Sequence, residues 1–333
     1  MRFGLSLPHY GFSLPSGEIS PADAIGWATK AEALGFDSVW ISDHFFYSYS
    51  RYGVSDRGYL GSLEPLTTLA AVAAATERVR LGSLVLCTSF RHPALLAKAV
   101  ASLDLLSGGR FDLGMGAGWL AEEYEAFGYP FGTVGERFTV LEDTLVVLRA
   151  LFEGASVSHD GPSATLREAV LLPAPERRPP TWLGGKGGPR LLGLAARHAD
   201  GWNTVWRWSP DAYREKVEDV RRACEAEGRD PASFRLSVGL HSLIGEDEAA
   251  SRAAFERGRA AAPGNAMTGD DHESWLANTL SGTPDQVLER VGAFEDLGVE
   301  EIVVAPWVLP FAIHEPEQVE LFAERVIAPS RGD

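Results

Sequence analysis

Eight times along this chain a short β-branched or apolar run gives way to a longer amphipathic one. No other feature limits the fold as tightly. The strand candidates are residues 3–7, 36–41, 79–86, 111–115, 181–184, 201–205, 234–243 and 301–305. Helical periodicity fills the gaps at 22–34, 66–76, 94–106, 134–152, 191–198, 212–227 and 285–297, and 316–326 follows the last strand. Local punctuation agrees with this. Ser20 and Pro21 open the first helix as N-cap and first helical residue, and Gly35 and Gly298 follow helix ends. Strands that alternate with helices form a parallel sheet through right-handed crossovers. Eight such units close into a (β/α)8 TIM barrel. The alternative, a doubly wound open sheet, would place a Gly-rich phosphate loop after the first strand. Pro8-His9-Tyr10-Gly11 stands there instead.

All 333 residues fit one barrel domain with insertions. Residues 156–172 alternate about Asp160-Gly161-Pro162 and predict a β-hairpin excursion. Residues 173–180 are Pro-rich and read as an extended return rather than a linker. The polar stretch 246–281 predicts a helical insertion with mobile parts and is a candidate lid or specificity loop. A formal net charge of −16, with no basic patch, argues against nucleic acid and anionic membranes as partners. No run approaches the roughly 20 apolar residues of a membrane span. Cys87 and Cys224 are the only cysteines, and they are far apart; a reducing compartment is expected, with the cytoplasm as location and no disulfide or zinc site.

Barrels bind ligands over the C-terminal ends of their strands, which directs attention to a few short segments. In Gly184-Gly185-Lys186-Gly187-Gly188-Pro189-Arg190 the glycines let amides converge and a helix N-terminus follows. Lys186 and Arg190 add charge, so this reads as an anion cradle, most simply for a phosphate. Gly114-Met115-Gly116-Ala117-Gly118 suits either close approach to a flat ring or tight packing. Asp43-His44 ends the second strand. A histidine titrates near neutrality and a carboxylate can hold its tautomer, though the pair could also simply close the pocket wall. His9, Asp43 and His44 have no metal-like spacing, and no metal is expected. Arg91-His92-Pro93 reads as helix capping, and His198-Ala199-Asp200 falls on the opposite barrel face.

At these residues the chain resembles the bacterial luciferase-like superfamily, whose members use reduced FMN or the deazaflavin coenzyme F420. The resemblance runs through Leu34-Gly35-Phe36-Asp37-Ser38-Val39-Trp40, Asp43-His44-Phe45, Val79-Arg80-Leu81-Gly82, Phe90-Arg91-His92-Pro93 and Ser107-Gly108-Gly109-Arg110. It continues in Gly116-Ala117-Gly118, Trp182-Leu183-Gly184-Gly185 and Ala199-Asp200-Gly201-Trp202. Asp43-His44-Phe45 most resembles the F420-dependent branch. The resemblance implies hydride transfer between F420 and a small organic substrate, with His44 exchanging a proton and Asp43 positioning it. It also implies a non-prolyl cis peptide at Leu84 and Val85. The implied cofactor contacts are Asp43, Leu84, Val85, Ala117, Gly118, Gly184, Gly185, Lys186, Gly187 and Arg190, with His9, Trp119 and Trp206 on the substrate side. Trp119 stands where F420-dependent glucose-6-phosphate dehydrogenases carry a catalytic glutamate, so an apolar substrate is expected rather than a sugar phosphate. The rival readings are an FMN monooxygenase using oxygen, a cofactor-binding protein without turnover, and a metal-dependent barrel hydrolase. By analogy the chain is expected to form a homodimer.

Overall fold

The computed structural model describes residues 1–54, 58–154 and 156–331. Eight parallel strands form its centre: β1 (Arg2–Ser6), β2 (Ser38–Ile41), β3 (Arg80–Ser83), β4 (Phe111–Gly116), β5 (Thr181–Gly184), β6 (Gly201–Trp206), β7 (Arg235–His241) and β8 (Val299–Ala305). Neighbours run β5-β6-β7-β8-β1-β2-β3-β4, and β4 pairs back onto β5, with Leu113, Gly114 and Met115 opposite Thr181, Trp182 and Leu183. The ring is closed. Helices α1 (Pro21–Ala33), α2 (Pro65–Ala75), α3 (Pro93–Ser107), α4 (Ala121–Phe127), α5 (Val134–Phe152), α6 (Pro189–His198) and α7 (Pro210–Ala226) follow in chain order. They are joined by α8 (Glu248–Ala261), α9 (His272–Asn278), α10 (Pro284–Glu295) and α11 (Pro316–Phe322). Six of the strand-following helices, α1, α2, α3, α6, α7 and α11, open with proline at the first turn, where its missing N–H is not needed.

Period-two alternation sends one set of strand residues outward against the helices and the other into the barrel. Phe3, Leu5, Val39, Ile41, Leu81, Leu113, Leu183, Val238 and Val304 belong to the outer core. Inside, Trp40 and Trp182 fill the lower barrel. Glycines make room for them: a Cβ at Gly4, Gly82 or Gly201 would collide with one indole or the other. The Trp40 Nε1–H donates to Ser38 Oγ at 2.7 Å and to Glu301 Oε1 at 3.0 Å, while Trp182 Nε1–H reaches Asp112. Glu301 and Asp112 in turn meet Arg2 and Arg80. The barrel is therefore plugged from below, and a ligand can enter only at the C-terminal mouth.

Three details differ from the sequence pattern. The third strand stops at Ser83 rather than running to 86. The non-prolyl cis peptide that the resemblance implied does join Leu84 and Val85, and the chain then rejoins β4 as the short strand Leu86–Cys87. A second non-prolyl cis peptide joins Val205 and Trp206 at the end of β6. Helix α4, seven residues long, gave no clear periodic signal. Between α5 and β5, Val157–Asp160 and Thr165–Ala169 pair antiparallel as a hairpin.

The insertion between β7 and β8 carries α8 and α9, and Phe255, Met267 and Trp275 seat it in the interior cluster over the barrel. Its connecting segment is held at two points. Asn265 N–H donates to Tyr52 O at 2.8 Å in the loop after β2, and Arg207 after β6 binds Asp270 at 2.8 Å. In an eight-stranded ring β2 and β6 stand opposite each other, so this strap crosses the mouth.

Candidate active site

The loop after β2 places His44 at the mouth, but its partner is not the adjacent aspartate. Glu123, in the first turn of α4 and 1% exposed, accepts from His44 Nδ1 at 2.7 Å. The other oxygen of Glu123 accepts the Phe45 N–H at 2.5 Å. Among the described residues, His44 Nε2 meets no hydrogen-bonding group. Asp43 turns away from the imidazole. Its carboxylate accepts the Cys87 N–H at 2.8 Å and a two-pronged guanidinium from Arg91 at 2.5 and 3.1 Å. Arg91 also binds Glu64 at 2.6 Å. The expectation that Asp43 positions His44 is therefore corrected: Asp43 is an anchor between the β2 and β3 loops. Burial works against the Arg91 charge, but the hydrogen bonds and charges of Asp43 and Glu64 outweigh it and raise the guanidinium pKa.

His9, expected on the substrate side, is fully buried. Its Nδ1–H donates to Leu7 O at 2.9 Å and its Nε2 faces Ser42 Oγ at 2.9 Å, so both nitrogens are occupied. Burial holds its pKa near 3 and keeps the ring neutral. His9 is a wall residue, not a substrate contact. Trp119 is 48% exposed, edge-on to His44 at 5.7 Å between ring centroids, with the Arg51 guanidinium over its ring at 4.7 Å. Trp206 packs edge-on against Phe311 at 5.3 Å on the opposite flank. A cavity of about 310 Å³ opens beside His44, lined by Asp43, Phe45, Glu64, Arg91 and Tyr129 among others. It lies on the Arg91 side of His44, and Val85, Trp119, Trp206 and Gly184–Gly188 do not line it.

Val85 forms the floor between the two flanks. Its methyl groups rest on glycine backbone: a Cβ on Gly116 or Gly184 would lie 2.7 or 2.6 Å from them, and one on Gly114 would lie 3.0 Å away. Any larger residue there would push Val85 up into the mouth. Leu84 is buried in the interior cluster. Gly118 packs tightly against Tyr124 and Cys87, and Ala117 O lies 3.4 Å from the Tyr124 hydroxyl. Burial raises the Cys87 thiol pKa to about 12, so it is inert.

The glycine segment after β5 adopts backbone that side chains resist, with φ +151° at Gly185 and +71° at Gly187. The Gly185 N–H is committed to Asn203 O at 3.1 Å, and Gly185 O accepts from Trp202 Nε1 at 2.9 Å. Gly185 therefore shapes the loop rather than donating to a ligand. Among the described residues the amides of Lys186, Gly187 and Gly188 meet no acceptor, and Gly188 caps α6 without any side-chain bond. The first-turn amides of α6 add further free donors. Lys186 is exposed and forms no ion pair among the described residues. Arg190 is turned elsewhere: its guanidinium donates to Gly135 O and Thr139 Oγ1, both at 3.0 Å, and lies over Phe138 on α5. Arg190 is thus removed from the predicted anion contacts. The cradle fits a phosphate through backbone donors and one lysine.

Sequence reading missed Glu123 and the ion-pairing role of Arg91. A signal for Glu123 did exist: two glutamates follow the Gly116-Ala117-Gly118 turn, and a helix starting there must turn one of them inward. Among the described residues no cluster of ligating side chains could hold a metal, and no helix is long and apolar enough to cross a membrane.

Comparison with known proteins adds three relations. The chain is 29% identical over 311 residues to an F420-dependent glucose-6-phosphate dehydrogenase of Microbacterium testaceum, covering 88% of this chain and 90% of that protein. It is 32% identical over 303 residues to an F420-dependent hydroxymycolic acid dehydrogenase of Mycobacterium tuberculosis, covering 88% and 79%. Its fold matches that of an F420-dependent secondary alcohol dehydrogenase solved with an F420-acetone adduct, with a TM-score of 0.79, 21% identity and 98% of each chain covered. The model of the luciferase-like monooxygenases matches residues 1–301, and the chain belongs to that family.

Proposed function

We propose that this chain is a coenzyme F420-dependent oxidoreductase acting on a small organic substrate, in the cytoplasm. One observation carries the reading: at the same mouth, among the described residues, the amides of Lys186, Gly187 and Gly188 meet no acceptor, Lys186 has no ion pair and His44 Nε2 has no hydrogen-bond partner. The amides of Lys186, Gly187 and Gly188 and the first turn of α6 would hold the cofactor phosphate, with Lys186 adding charge. Val85, seated on its glycines, would support the flat ring. When bound, the deazaflavin supplies hydride exchange at its central ring carbon.

The protein's residues supply the rest. His44 Nε2 takes the hydroxyl proton as an alcohol becomes a carbonyl, or returns it in the reverse direction. Trp119 and Trp206 offer apolar faces to the substrate's hydrocarbon part. The strap from α8 to α9, pinned at Tyr52 and Arg207, excludes water from the mouth.

Fluorescence titration of the apoprotein with F420 and, separately, with FMN tests this. Saturable F420 binding with weaker or absent FMN binding is expected. Tight FMN binding without F420 binding overturns it in favour of a flavin monooxygenase.

A further inference from the structure

We infer that Glu123 is the positioning residue for His44, fixing which imidazole nitrogen faces the substrate. This deepens the proposed function and rests on its reading of His44 as the proton-exchanging group. A carboxylate can only accept when ionised. One Glu123 oxygen takes the Phe45 N–H at 2.5 Å and lies 3.4 Å from the Phe46 N–H, so two backbone donors orient it. The second oxygen then faces His44 Nδ1 at 2.7 Å, and that nitrogen must carry hydrogen to satisfy it. Nε2 is left with a lone pair toward the mouth, as a base for a hydroxyl proton must be. When Nε2 accepts that proton, the imidazolium forms beside a buried negative charge that stabilises it. Asp43 cannot do this, because Arg91 and Cys87 occupy its oxygens.

The substitution Glu123→Gln tests the assignment with almost no change in shape. An amide has one accepting atom and one donating group. The backbone N–H groups of Phe45 and Phe46 cannot change what they are, so they claim the oxygen. The amide NH₂ then faces Nδ1, and His44 must move its hydrogen to Nε2.

Nitrogen-15 NMR of histidine-labelled apoprotein reads this directly, with His44 identified by comparison with His44→Gln. Wild type should show hydrogen on Nδ1, and E123Q should show Nδ1 bare. F420 affinity should stay within about twofold, and F420 reduction by cyclohexanol should fall at least about 100-fold in kcat at near-constant KM. A wild-type imidazole carrying its single hydrogen on Nε2, or an unchanged tautomer in E123Q, overturns the inference. A wild type that neither binds nor reduces F420 overturns the proposed function instead, while the tautomer still decides the role of Glu123.

Discussion

The two flanks of the barrel mouth are built on opposite plans. On the β2–β4 flank, charged side chains are dense and most are spoken for: Arg91 by Asp43 and Glu64, Glu123 by His44 and Phe45. Among the described residues His44 Nε2 and the buried Glu122 Oε2 are without a partner. On the β5–α6 flank side chains contribute little, and among the described residues the backbone amides of Lys186, Gly187 and Gly188 meet no acceptor. A group that must move a proton needs a fixed orientation, which costs several ordered partners. A group that must hold an anion needs converging donors left vacant, which glycine backbone supplies. On the proposed function, the first plan suits proton exchange and the second suits anion binding.

The comparison can be broken most severely at His44. Replacing His44 with Ala should lower kcat by about a thousandfold while leaving F420 binding within about twofold, measured by steady-state turnover beside titration. Unchanged turnover would mean the partnered flank is only a wall. Next in size, Arg91→Met strips the partner from a buried Asp43. It should destabilise the fold by about 3–5 kcal/mol in urea unfolding, since an orphaned buried charge is expensive.

A third test contrasts His44, held by a carboxylate, with His9 and His241, which burial keeps neutral at pKa values near 3. The unfolded chain protonates these two near pH 6.5 and the folded chain refuses. Their contribution to stability is thus complete above about pH 6.5 and drains away as pH falls toward 3. Urea midpoints at about pH 7 and pH 5 should fall on acidification, by roughly 2 kcal/mol of stability for each ring. A flat profile across that window would mean the rings are protonated inside the fold. The smallest effect belongs to the glycine flank. Lys186→Ala should weaken F420 binding by only about five- to tenfold, because the amides remain. A loss of a hundredfold or more would make the lysine, not the backbone, the anion's holder.

Much of this was legible in the sequence. Strand–helix alternation and the proline and glycine punctuation encode the barrel, because each is a local preference. The glycine-rich turn between β5 and α6 was visible for the same reason. What stayed hidden depended on partners distant in sequence. Nothing local in Asp43-His44 shows that the imidazole is served from 79 residues away while the aspartate is claimed from 48 residues away. Arg190 looked like an anion ligand until α5 supplied Gly135 and Thr139. Gly185 belonged to the cradle by composition, yet Asn203 uses its amide. His9 sits at a strand end like a site residue, but Leu7 and Ser42 saturate it. The third strand was read too long because residues 79–86 continue its apolar pattern, which does not register the turn of the chain at Leu84 and Val85.

A crystal structure grown with F420 addresses the central claim directly. The account predicts the cofactor phosphate within hydrogen-bond reach of the Lys186, Gly187 and Gly188 amides, and the ring lying over Val85 with its central carbon toward His44. A phosphate bound on the Arg91 flank, or a ring with its reactive carbon facing away from His44, would contradict it.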